Sequence, residues 1–328
     1  MRSVAFGNTG KKASVLGFGC SGVLGRVGRR DSLSALATAF DAGITFYDTA
    51  RSYGFGESEA LLGEFLRGHR DSVLISTKFG ILPAHTNKYR QALKPFARRL
   101  LRVAPGARKA MQKQLAAQFS AGHFTVASLQ NSLETSLRAL RTDYVDLLFM
   151  HEAPVSVLQQ EDLLAALEQL VAVGKVRRYG IASNPAVIEA ALAADLPGLR
   201  SVQFPCNLLD LELARKISGQ SSDVFTVANH PFGGGQRVAE SKTLLTSLGL
   251  HQETPASLRD KLSAVDDAVL ADIVLNLITR DTCVQVVVPS MLRLDHVRAN
   301  VAAIEHSRFN SEELQWLREA IAEARTSQ

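Results

Sequence analysis

Cysteine is scarce. The chain has three, Cys20, Cys206 and Cys283, far apart and without CxxC spacing. An odd, scattered set provides neither a disulfide framework nor a zinc site, and it fits a reducing, cytoplasmic setting. Long apolar runs are missing too. None approaches the ~20 residues a membrane helix requires, and the opening Met1-Arg2-Ser3-Val4-Ala5-Phe6-Gly7 lacks the apolar stretch of a secretory signal. Neither sign of charge dominates: a formal +5 tolerates anionic ligands without singling out nucleic acid. No internal repeat or linker divides the 328 residues, which read as one domain over 1–328. With 46% hydrophobic and 21% charged residues, a substantial core is available and global disorder is excluded.

What is present is alternation. Short β-branched runs at Val15–Gly19, Ile44–Asp48, Val73–Thr77, Tyr144–Met150, Val176–Ala182, Ser201–Pro205, Val224–Ala228 and Val284–Val288 read as strands. Segments of helical period lie between them, including Leu33–Ala42, Glu57–Leu66, Val126–Leu140, Asp162–Val173 and Ala264–Thr279. The strands are nearly continuous in apolar residues, as parallel strands covered on both faces are. Eight such units fit either a barrel or a doubly wound sheet. The polar residues decide between them. Asp48, Lys78, His151, Ser183-Asn184 and Gln203 each stand at or just past the C-terminal end of a different strand. Closing the sheet brings all those ends to one face, so the expected fold is a (β/α)8 TIM barrel. Two pieces fall outside the alternation. Val4–Val15, turning at Asn8-Thr9-Gly10, predicts an N-terminal β-hairpin able to plug the barrel floor. Residues 80–124 form a long loop after the third barrel strand, broken at Pro95 and Pro105-Gly106.

Four residues make a chemical set. Reducing a carbonyl requires hydride at carbon and a proton at oxygen. The Tyr53 phenol can donate that proton, although its ordinary pKa of about 10 is high for neutral conditions. Lys78 beside it favours phenolate, Asp48 is the anionic partner that a buried lysine needs, and a neutral His151 can hold the carbonyl oxygen by a hydrogen bond. Singly, each has a plainer reading: Asp48 as a turn cap, Tyr53 as a rim aromatic, His151 as a structural strand end.

In this combination and order the chain resembles the aldo-keto reductase family. Supporting motifs include Gly43-Ile44-Thr45-Phe46-Tyr47-Asp48-Thr49-Ala50, Gly56-Glu57-Ser58-Glu59, Gly174-Lys175-Val176-Arg177 and Gly180-Ile181-Ala182-Ser183-Asn184. The resemblance runs from Ser14 to Asn300. It implies an oxidoreductase on small-molecule carbonyls or alcohols, with Tyr53 as general acid, Lys78 and Asp48 tuning it and His151 orienting the carbonyl. It implies Ser183, Asn184 and Gln203 at the nicotinamide carboxamide, Pro231, Phe232 and Gly233 at the pyrophosphate, and Ser290, Arg293, His296 and Asn300 toward the adenosine. The cofactor it implies is NADPH, with NADH possible, because Ser290 and His296 stand where many NADPH-preferring members have basic residues. Asn229 replaces a tyrosine that many members stack on the nicotinamide, leaving His230 and Phe232 as neighbours that can compensate.

Gly17-Phe18-Gly19-Cys20-Ser21-Gly22 satisfies GxGxxG, yet no helix opens directly after it, as a Rossmann turn requires. It reads as the first barrel loop, in which Cys20 and Ser21 are candidates for cofactor contact. The long loop carries Lys88, Arg90, Lys94, Arg98, Arg99, Arg102, Arg108, Lys109 and Lys113 without an acidic residue. It reads as a solvated excursion, a wall favouring anionic substrates, or a docking surface. Two further readings stand beside the reductase: a sugar or secondary-alcohol dehydrogenase on the same barrel, and a cofactor-binding regulatory protein. Substrate, direction and oligomeric state are left open.

Overall fold

The structure is a computed structural model that describes residues 1–24, 27–83, 122–218 and 223–326. The chain opens with an antiparallel pair, β1 (Ser3–Ala5) and β2 (Lys12–Ser14). Eight parallel strands follow: β3 (Gly17–Gly19), β4 (Phe46–Asp48), β5 (Leu74–Phe79), β6 (Val145–His151), β7 (Val176–Ala182), β8 (Leu199–Pro205), β9 (Phe225–Asn229) and β10 (Val286–Val288). Each pairs with the next in chain order. The ring closes where Leu16 bridges Val287 and the Gly19 N–H donates to Pro289 O at 3.0 Å. This is the expected (β/α)8 barrel.

The helices are α1 (Arg29–Asp41), α2 (Ser58–Phe65), α3 (Val126–Leu140), α4 (Glu161–Ala172), α5 (Pro185–Ala193) and α6 (Glu212–Ile217). Then come α7 (Gly235–Gly249), α8 (Ala256–Leu262), α9 (Asp267–Asp281), α10 (Leu294–Glu305) and α11 (Ser311–Thr326). No described helix is long and apolar enough to cross a membrane. Their ends follow local chemistry. In α3, Leu129, Leu133, Leu137 and Leu140 recur at helical spacing on the buried side, and the Thr125 side chain caps the start by accepting from Ser128 N–H. The periodicity predicts α9 from Ala264, but it begins at Asp267 because Asp266 Oδ1 accepts from Val269 N–H at 2.7 Å and fixes the cap. At α11, Asn310 and Glu313 exchange side-chain-to-backbone bonds of 2.9 and 3.0 Å, a reciprocal capping box.

Strand alternation sorts the barrel interior by height. The lower inward positions carry Phe46, Leu74, Leu147, Phe149, Phe225, Val227 and Val286, which form one apolar cluster. The hairpin seals this cluster from below: Phe6 is fully buried and meets Phe225 edge-on, ring centroids 4.8 Å apart. The GxGxxG glycines belong here rather than to a phosphate turn. A Cβ at Gly17 would stand 2.6 Å from Val288 Cγ1 and 2.9 Å from Phe46 Cδ1. Only a single 3-10 turn, Cys20–Gly22, follows Gly19, and the first α-helix, α1, opens at Arg29, ten residues beyond it. The nine basic residues of the long loop lie outside the described residues.

Candidate active site

Side chains two apart on a strand share a face. Carrying the inward register upward takes Phe46 to Asp48, Leu74 through Ser76 to Lys78, and Leu147 through Phe149 to His151. On β8 the same register runs through Ser201 to Gln203, and on β9 through Val227 to Asn229. The polar residues at the strand ends are thus the top layer of a barrel whose lower interior is mainly apolar, with buried Arg178 over the Phe6 ring as an exception.

Lys78, 1% exposed, donates to Asp48 Oδ2 at 2.7 Å, to Thr49 O at 2.9 Å and to the Tyr53 hydroxyl at 3.3 Å. Asp48 Oδ1 accepts from Ser76 Oγ and from Gln203 Nε2, each at 3.1 Å. The His151 ring meets Tyr53 edge-on at 5.9 Å between centroids. Asp48, Tyr53, Lys78 and His151 therefore form one contiguous cluster drawn from β4, the loop after it, β5 and β6.

Burial and charge set the protonation states. Burial opposes the Lys78 ammonium, but Asp48 and then Tyr53 more than offset it, and its pKa stands above the ordinary lysine value. Burial also raises the Tyr53 phenol above its ordinary value, and Lys78 only partly offsets it. The net direction is thus the reverse of what the isolated lysine–tyrosine pair suggests, and Tyr53 stays a neutral phenol at neutral pH. Burial, reinforced by Lys78, pushes His151 down to about 3 and keeps its imidazole uncharged.

Beside this cluster lies a cleft of about 420 Å³, lined by Ser21, Pro231, Phe232, Gly233, Ser290, His296 and Asn300 among others. Gly233 and Gly234 take left-handed backbone conformations, φ 63° and 90°, and lead into the N-terminus of α7. Backbone N–H groups at such a terminus favour an anion such as a pyrophosphate. Two buried atoms near the cluster have no hydrogen-bond partner among the described residues, Gln203 Oε1 and His151 Nδ1. The cleft's glycines at the start of α7, and the unpartnered Gln203 Oε1 in the polar layer at the strand ends, fit a nicotinamide dinucleotide.

The remaining predicted residues divide. Ser183 is buried and donates to Ala153 O at 3.0 Å. Asn184 caps α5 through its Oδ1, which accepts from Val187 N–H, leaving its amide NH2 for a ligand. Cys20 is buried and not among the cleft-lining residues, and its thiol is raised far above its ordinary pKa, first by burial and then by Asp48. Arg293 is also outside the cleft lining and pairs with Asp295 at 2.5 Å. Asn229 Oδ1 lies 3.0 Å from His230 Nδ1, and His230 lines the cleft. Sequence reasoning missed Ser76 and Asp267. Ser76 could have been found two residues before Lys78 on the same face. Asp267 lines the cleft and pairs with Lys242 at 2.6 Å, a placement only the tertiary fold creates.

Residues 15–322 match the model of the Aldo/keto reductase family. Probable aldo-keto reductase 1 of Glycine max is 28% identical over 273 residues, which take in 80% of this chain and 69% of that protein. L-galactose dehydrogenase of Arabidopsis thaliana is 30% identical over 189 residues, 55% of this chain and 48% of its own length. The matched stretches thus span between about half and about two thirds of these relatives. The structure of aldo-keto reductase AKR11C1 from Bacillus halodurans, in its holo form, has the same fold. The TM-score is 0.68 at 22% identity, over 98% of this chain and 96% of that one.

Proposed function

The chain belongs to the aldo/keto reductase family, oxidoreductases acting on carbonyls, and from that premise we propose that it reduces aldehydes or ketones to alcohols with Tyr53 as the proton donor. The observation that carries this reading is the neutral, partly buried Tyr53 phenol 3.3 Å from the Lys78 ammonium. A phenol kept protonated at neutral pH is a competent acid, and the ammonium stabilises the phenolate left after proton transfer. Asp48 holds Lys78 charged and in place. His151, uncharged, donates a hydrogen bond to the carbonyl oxygen, fixing it within reach of the Tyr53 hydroxyl.

The cofactor is a nicotinamide dinucleotide, NADPH or NADH, which when bound supplies the hydride. Ser183, Asn184 and Gln203 would hold its carboxamide, and Gln203 Oε1 is the open acceptor for the amide NH2. Pro231, Phe232 and Gly233 would lie against the pyrophosphate, with Ser21, Ser290, His296 and Asn300 toward the adenosine. Arg293 stands near that end and Cys20 beneath the site, both outside the cleft lining. Run in reverse, the same proton transfer to Tyr53, with the hydride passing to an oxidised nicotinamide, would oxidise an alcohol. The match to L-galactose dehydrogenase favours including hydroxylated substrates in any assay.

The test is titration with NADPH and NADH, then turnover of neutral, hydroxylated and anionic aldehydes, followed by the absorbance of reduced nicotinamide. Reduced-cofactor oxidation dependent on an added carbonyl is expected. Failure to bind either nucleotide would overturn the cofactor reading, and binding without turnover in either direction would overturn the enzymatic one.

A further inference from the structure

Tyr53 and Lys78 stand on chain segments that no regular element joins. Lys78 is on β5, whereas Tyr53 opens a short turn, Tyr53–Gly56, in which Gly54 and Phe55 both take φ of 58°. Something must hold that turn against β5 for the 3.3 Å contact to persist. Thr49 N–H donates to Ser76 O at 2.8 Å at the start of the loop, and one buried carboxyl adds a link from outside the barrel wall. Glu59, 3% exposed in the first turn of α2, accepts from Thr77 Oγ1 at 2.6 Å through Oε1. Its Oε2 lies 3.9 Å from Arg51 Nε, and Arg51 Nη1 also donates to Ser132 O on α3 at 3.4 Å. Thr77 is the residue before Lys78, and Arg51 is two before Tyr53. Thr77 faces out of the barrel where Lys78 faces in, so Glu59 grips the back of the strand whose front carries the ammonium.

We propose that Glu59 is a positioning residue that sets the Tyr53–Lys78 spacing by tying Arg51 to Thr77 and that places a second negative charge behind Lys78. This rests on the reading of Tyr53 as proton donor. Burial raises the Glu59 carboxyl above the usual carboxylate range, and hydrogen bonds from Thr77 and Ser136 together with the charges of Arg51 and Lys78 pull it back toward the ionised form. Tyr53 faces Lys78 from β5, Asp48 from β4, Cys20 after β3 and His151 from β6. Removing the Glu59 charge therefore reaches Tyr53 through Lys78. Because Lys78 keeps Asp48 at 2.7 Å it stays an ammonium, and the phenolate forms more readily.

The test compares Glu59→Gln and Glu59→Asp by nucleotide Kd, kcat, the pH profile of kcat and thermal unfolding. Tyr53 ionisation is also followed in the cofactor-free protein by ultraviolet titration, each variant with and without Tyr53→Phe. Glu59→Gln should lower kcat by about tenfold to a hundredfold, the scale of a misplaced reacting group. Nucleotide Kd should hold, and the Tyr53 titration should move to lower pH. Glu59→Asp keeps the charge but loses reach, so kcat should fall while the titration stays. Variants that lose thermal stability but keep kcat and the Tyr53 titration would overturn the proposal. The titration reads out without turnover, so a wild-type protein with no activity would fail the proposed reaction while Glu59 remained tested.

Discussion

Asp48→Asn isolates the electrostatic heart of the site. The substitution preserves shape, so no cavity forms, and the amide oxygen can still accept from Ser76 and Gln203. Lys78 is left 1% exposed with only neutral acceptors, Thr49 O and the Tyr53 hydroxyl. Removing one partner of a buried ion pair costs roughly 3–5 kcal/mol, because the other charge stays desolvated. The pH dependence has a definite sign. In the wild type the folded pKa of Lys78 is raised, so the pair's contribution is fully present below the unfolded lysine value and lost as pH rises through the folded one. In the variant the Asp48 charge that most offset burial is gone, and the folded value falls. The deficit against wild type should therefore be greatest near neutrality and shrink in the alkaline range. Urea unfolding of both proteins at neutral and alkaline pH measures this. A neutral deficit below about 1 kcal/mol, or one that widens as pH rises, would show that Asp48 does not hold a buried Lys78 ammonium.

Two other perturbations probe the neighbouring groups. His151, held uncharged by burial down to about 3, should give no inflection in the pH–rate profile near the ordinary histidine value of about 6.5. Because the unfolded imidazole protonates before the folded one, stability should fall as pH drops from about 6.5 toward 3, and a rate inflection near 6.5 would mean the ring is solvated. Asp267→Asn removes a negative charge lining the cleft, so NADPH should gain roughly two- to fivefold in affinity relative to NADH, the scale of an exposed charge interaction. An unchanged ratio of the two Kd values would place the adenosine end elsewhere.

The barrel was legible because each strand is covered on both faces and reads as an apolar run ended by a polar residue. That break is visible at Asp48, Lys78 and His151 without coordinates. The hairpin was legible from Asn8-Thr9-Gly10. The net rise of the Tyr53 pKa was not, because it depends on how deeply the tertiary fold buries the phenol, and pairwise reasoning from Lys78 gives the opposite direction. Glu59 stood in a recognised motif, but its purpose appears only when Thr77, eighteen residues on, turns outward on β5 to meet it. Asp267 opens a helix far from the candidate residues in sequence, and only closure of the barrel sets it on the cleft.

In the proposed reaction the Tyr53 hydroxyl delivers the proton. The most direct test is Tyr53→Phe, with nucleotide Kd and single-turnover carbonyl reduction measured on the same preparation. Binding should persist while the rate falls by roughly 10²–10⁴, the range of general acid catalysis. A Tyr53→Phe protein that binds the nucleotide and reduces the carbonyl at the wild-type rate would contradict it.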